Sequence, residues 1–171
     1  MMMRMLEAGG LPALTDNERS ADQDNPRGYY EYERVKDLAT DKAWVPEAKG
    51  RAVKVISALL EQLPRDQRYR VVFMRRDISE VMASQREMLA RKGKAPGDEE
   101  RMTRLFLKHL SGVEATLASA PQIEVLYVRY ADVVRDPHAQ ASVVNRFLGG
   151  DLDEQRMAAM VDPALHRQNA G

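Results

Sequence analysis

Two neighbouring arginines that close an apolar run, Arg75 and Arg76 in VVFMRRD, are well suited to hold an anion. Guanidinium groups grip phosphate oxygens in bidentate fashion. A helix opening at Asp77 would aim free backbone amides and the positive end of its dipole at the same ligand. Asp77 with Glu80 has the form of a capping box, which specifies that turn. Ser84 lies two turns further along the same helix face and offers a hydroxyl. Taken alone, the arginines read at least as readily as solvated strand-end charges, and Ser84 as a small packing residue. Tyr130 opens a second constellation, YADVVRDP, followed by Phe147-Leu148-Gly149. By itself this is a strand end, a turn and an amphipathic helix closed by glycine. Yet Tyr130 would stand at the carboxyl end of a parallel strand, where open α/β sheets bind ligands, and its ring can stack on a base.

Other chemistries are narrowed by composition. The 171 residues fit one domain with a real core. The 26 basic and 26 acidic residues cancel, so no global field draws the chain to nucleic acid or an anionic membrane, and any anion site must be local. The absence of cysteine removes disulfides, thiolate ligands and cysteine nucleophiles, as fits a reducing compartment. His109, His138 and His166 lie far apart without ligand spacing, so no metal site is expected. The opening MMMRMLEAGG is too short for a signal peptide or a span, and a cytoplasmic protein is expected.

These residues need elements to position them. Helix formers run from Met1 to Ala8 and stop at Gly9-Gly10. Leu14 to Tyr30 is polar and turn-rich, a loop long enough to cover a site, and Glu31 to Leu38 can form a short helix. Trp44 with Pro46 is placed to anchor the next connection on the core. Three runs read as strands: Arg51 to Ser57, Tyr69 to Met74 and Ile123 to Val128. Helical stretches follow at Asp77 to Lys92, about Asp98 to Ala118, about His138 to Leu148, and Asp153 to Met160. Strands separated by helices predict an α/β fold, a parallel sheet with helices on both faces. The expected core includes Val53, Val55, Val71, Phe73, Leu126 and Val128. A chain opening on a helix lacks the strand that would usually precede it, which reads equally as a missing first strand and as a native terminal helix.

The spacing of Arg76 and Ser84 resembles that of the sulfotransferases that use phosphoadenosine phosphosulfate (PAPS), where a strand-end arginine and a serine eight residues on bind the 3′-phosphate. YADVVRDP with the later Phe-Leu-Gly resembles the same family's Tyr-x-Asp-hydrophobic-x-x-Asp-Pro segment, and matches Tyr130 to a tyrosine near the adenine. MMMRMLEAGG is similar to the helix that follows the phosphosulfate loop in bacterial relatives. Asn25 to Glu31 (NPRGYYE) resembles their acceptor-side segment. The resemblance implies a three-layer sheet with flanking helices of the P-loop nucleotide-transferase kind, without its first strand and phosphate loop. The Met1–Ala8 helix would then point its amino end at Arg76 and Tyr130. It also implies PAPS as co-substrate, no metal, and a small-molecule or carbohydrate acceptor bearing a hydroxyl or amine. Lys54 aligns with the lysine of a Lys-Thr/Ser-His catalytic segment, and Ile56 takes the place of its histidine; Lys54 reads equally as an ordinary strand-edge lysine. Arg91-Lys92-Gly93 imitates a 3′-phosphate grip from the family's C-terminal end but closes the helix carrying Ser84, and so reads as a basic C-cap. Arg167 lies closer to where that grip belongs.

Three functions remain open at this point. The chain is part of a sulfonate-transferring enzyme, expected to transfer poorly without the loop; a nucleotide-binding protein without catalysis; or a P-loop kinase-like transferase.

Overall fold

The computed structural model describes residues 1–16, 28–91, 93 and 97–162. Its centre is a parallel pair, β1 (Tyr69–Arg75) and β2 (Ile123–Arg129), in register from Tyr69 opposite Ile123 to Arg75 opposite Arg129. Side chains of a strand alternate between faces, and here both faces are apolar. Phe73, Val71, Ile123 and Val125 enter one core; Val72, Met74, Leu126 and Val128 enter the other. A strand covered on both faces is expected to read as a nearly continuous apolar run, as VVFM and VLYV do.

Helical segments cover each face. The first core is closed by α3 (Glu99–Ser119), through Val113 and Leu117, and by three 3₁₀ turns, Glu33–Asp37, Val45–Ala48 and Ser57–Gln62. Trp44 is buried there against the edge of Tyr32, as its predicted anchoring role requires. The second core is closed by α1 (Met2–Ala8), α4 (Tyr130–Arg135), α5 (Pro137–Leu148) and α6 (Glu154–Ala159), through Met5, Val133, Val144 and Met157. Between β1 and α3 runs α2 (Ile78–Arg91).

Three helices begin in the same way. Asp98, Asp136 and Asp153 each accept a hydrogen bond from the backbone N–H three residues on, at 2.9 to 3.0 Å, which satisfies an amide that the helix leaves open. After α5, Gly149 takes a positive φ of 129°, and Asn145 then ties the corner. Its amide donates to Glu154 Oε1 (2.8 Å), and its oxygen accepts from Leu152 N (2.8 Å).

The expected third strand is not one. Ala52 makes a single parallel bridge with Ala13, and residues 53–56 form no strand. Val53 and Val55 do turn toward the first core while Lys54 and Ile56 face outward, so the predicted alternation is present. The outer edge of β1 and this segment stand on the wall of one groove and do not pair. Residues 50–55 and residues 66–74 line the same groove, of about 1410 Å³, and among the described residues no strand bridges it. The sheet is therefore two-stranded rather than three-stranded. Of the expected core, Phe73 and Val128 are buried, and Val53, Val55, Val71 and Leu126 are half-buried against it. YADVVR, expected as a strand end and turn, is helical from Tyr130 onward.

The one-sided pairing of β1 has a measurable consequence. Tyr69 N donates to Gln122 O at 2.9 Å, and successive residues of a parallel strand point their amides to opposite edges. Val71, Phe73 and Arg75 thus face β2, and Arg70, Val72 and Met74 face the groove. In native-state hydrogen exchange the second set is expected to exchange faster than the first by about two orders of magnitude or more. Uniform protection along β1 would show that its outer edge is paired.

Candidate functional site

The in-register pairing places Arg76 and Tyr130 at the same level, one residue beyond the last pair, Arg75 and Arg129. The Arg76 guanidinium lies over the Tyr130 ring, 5.1 Å from its centre. Its Nε donates to Glu80 Oε2 at 2.9 Å. Burial raises the Tyr130 hydroxyl above its ordinary pKa; Arg76 opposes that shift and Glu80 adds to it. The strand-to-helix turn is held by Asp77, whose Oδ1 accepts from Ser79 Oγ (2.6 Å) and Ser79 N (2.8 Å). These bonds hold its carboxyl below the usual range. Asp77 thus performs the capping expected of it, and the Glu80 carboxylate accepts from Arg76. Ser84 is half-buried, one turn beyond Glu80 on the same face of α2.

Arg75 goes elsewhere. The pleat turns it to the opposite face, where it lies 4.2 Å from the centre of the Tyr127 ring and pairs with Glu114. Of the two neighbouring arginines, only Arg76 is at the Tyr130 site.

Tyr130 also lines the groove, together with Met1, Met2 and Met3, Arg4, Tyr30 and Lys54. The amino end of α1 and Tyr130 thus line one cavity, of which Arg76 is not a lining residue. Of these, Tyr30 donates its hydroxyl proton to Glu7 Oε2 at 2.5 Å, and Lys54 Nζ sits 3.3 Å from Glu31 Oε1 and over the Tyr29 ring. The backbone oxygen of Glu31 is fixed by Thr15 Oγ1 at 2.9 Å. Ile56 is 58 % exposed and carries no proton-transferring group. The Tyr30–Glu7 bond joins residues 23 apart in different segments, and no sequence pattern announced it.

Arg91 ends α2, and Gly93 takes a positive φ of 64° with its N–H on Ala90 O (3.0 Å), in keeping with a C-cap. Arg167 and residues 17–27 of the expected covering loop lie outside the described residues. Among the described residues no three acidic or histidine side chains gather as metal ligands, and no helix is long and apolar enough to cross a membrane.

Over residues 4–154 the sequence matches the model of the sulfotransferase family. The chain belongs to that family. No curated protein and no solved structure matches it. The family span holds Lys54, Arg76, Ser84 and Tyr130 and ends before Arg167.

Tyr30 offers a test of the groove wall. Desolvation first, then the bond to Glu7, pushes its pKa up to about 12 from the ordinary 10.0. A raised folded-state value means that Tyr30 contributes stability below pH 10, lost as pH rises toward 12. Ultraviolet difference titration of the wild type against Tyr30→Phe should reveal this late-titrating phenol, and Glu7→Gln should bring its midpoint down. A Tyr30 that ionises near 10 in the wild type would mean that the Glu7 bond is not formed.

Proposed function

We propose that this chain supplies the nucleotide end of a site that moves sulfonate from PAPS to a hydroxyl or amine acceptor. Arg76 and Ser84 take the 3′-phosphate, and Tyr130 lies beside the adenine. The juxtaposition of Arg76 and Tyr130 at the ends of two parallel strands, within a chain of the sulfotransferase family, carries this reading. The residues fit the group. Arg76 keeps 30 % of its side chain exposed although Glu80 holds its Nε, so donors remain for a phosphate. Tyr130 is only half-buried, so part of its ring is open to a base.

When bound, PAPS supplies an activated sulfonate; what the protein does is mostly positioning and charge. Arg76 anchors the nucleotide at the strand ends. Lys54, on the groove wall with Tyr30, brings positive charge toward the acceptor side, and Glu31 and Tyr29 fix its direction. A second reading, nucleotide binding without transfer, draws support from Ile56, an exposed aliphatic where the related segment has a histidine.

Calorimetry with adenosine 3′,5′-bisphosphate tests the shared part. Arg76→Ala is expected to lose about 1.5 to 3 kcal/mol of binding, and Ser84→Ala about 0.5 to 1.5 kcal/mol. Equal binding by wild type and Arg76→Ala would remove the assignment. Labelled PAPS offered to the protein with phenol, alcohol and amine acceptors then separates the two readings. Labelled product is expected for an enzyme, and nucleotide binding without product would favour the second.

A further inference from the structure

Glu80 is the one charged side chain buried among the described residues, at 8 % exposure. Taking a carboxylate out of water is costly unless it is paired and hydrogen-bonded. Here the pairing is with Arg76, through Nε at 2.9 Å, one turn back along the start of α2. The buried member of the pair is the acid (9 % of its side chain exposed), and the more open one is the arginine (30 %). A guanidinium carries five N–H donors in a rigid planar fork. With Nε on Glu80 and its central carbon 5.1 Å from the centre of the Tyr130 ring, Arg76 is held from two directions. Restraint at Nε leaves the terminal edge, Nη1 and Nη2, to meet a ligand, and that edge suits two oxygens of a phosphate.

We propose that Glu80 is a positioning residue that aims Arg76 at a phosphomonoester, so that the site distinguishes nucleotides with a 3′-phosphate from those without one. The inference rests on the 3′-phosphate reading of Arg76 given above and adds the residue that makes the grip selective. Two effects of Glu80 oppose each other. Its charge repels a phosphate, and its hydrogen bond removes the rotational freedom of a long side chain, which ligand binding would otherwise have to freeze. Because Glu80 engages the Nε side, away from the terminal edge, the bound phosphate is separated from it by the guanidinium itself, and orientation prevails.

The test compares wild type, Arg76→Ala, Glu80→Ala, Glu80→Gln and Glu80→Asp by calorimetric titration with adenosine 3′,5′-bisphosphate and with adenosine 5′-monophosphate, with thermal unfolding followed for each. Wild type should prefer the bisphosphate, and Arg76→Ala should lose that preference. Glu80→Ala should weaken the bisphosphate about tenfold or more and leave the monophosphate within about twofold. Glu80→Gln, whose amide oxygen still accepts from Nε, should stay within about threefold of wild type for both. Should Glu80→Ala not fold, Glu80→Asp decides, since a carboxylate one methylene shorter draws Arg76 out of line and the preference should fall. The proposal is overturned if Glu80→Ala or Glu80→Asp keeps the full preference, if Glu80→Ala weakens both nucleotides equally, or if Glu80→Ala and Glu80→Gln both bind the bisphosphate more tightly. A wild type without preference, or an Arg76→Ala that keeps it, would bring down the 3′-phosphate reading itself.

Discussion

Parallel, in-register pairing of β1 with β2 is the constraint on which the rest of the molecule depends. A parallel pair cannot be joined by a tight turn; the chain must leave the end of β1 and return to the start of β2. α2 and α3 make that return. Because the strands run the same way and end together, the residues that follow them, Arg76 and Tyr130, emerge side by side. An antiparallel pair of the same sequences would have placed them at opposite ends. The site is thus a product of topology before it is a product of side-chain chemistry.

The same pairing divides the packing. Alternate residues of each strand feed two cores, and each core recruits its own helices. The second core reaches the groove through a short chain of dependencies. Asn145 locks the corner between α5 and α6, α6 carries Met157 into contact with Gly9, and Gly9 ends α1. A methyl group at Gly9 would meet Met157 Cγ at 2.6 Å, so the close approach of the two helices depends on the absence of a side chain there. The placement of α1, and with it Met1 to Met3 on the groove wall, follows from that contact.

Much of this was legible in the residues. VVFM and VLYV announced strands because burial on both faces leaves little room for polar residues, and the predicted helices beginning at Asp98 and Asp153 start there, while the one expected from about His138 starts at Pro137, capped by Asp136. RAVKVIS misled for a definite reason. Alternation reports where side chains point, and Val53 and Val55 point where predicted, but a strand also needs a backbone partner, which no local pattern encodes. Tyr130 was placed at the right level and in the wrong element, since a helix starting directly at a strand end leaves no turn residues to read. Within the site, the spacing of Arg76 and Ser84 was visible. Glu80 was visible only as a cap, because its burial against Arg76 is a property of the packed turn.

The contrast between Arg75 and Arg76 shows what the pleat adds to such a motif. By residue type and place at the strand end the two are alike, and only spacing to Ser84 sets Arg76 apart in the sequence. One step along a strand reverses the face, and the environments then differ in kind. Arg75 meets a half-buried Glu114 and an exposed Tyr127 and is itself exposed, where an ion pair contributes little and a ligand would compete with solvent. Arg76 meets a buried carboxylate and a half-buried ring, where water competes less and electrostatic interactions are stronger. Sliding either strand by one residue would exchange the two faces and put Arg75 in the position of Arg76, at the cost of turning both apolar faces against the wrong cores. The hydrophobic partition of the sheet therefore selects which arginine serves the site, and the anion chemistry of the strand end is inherited from the packing of the strand.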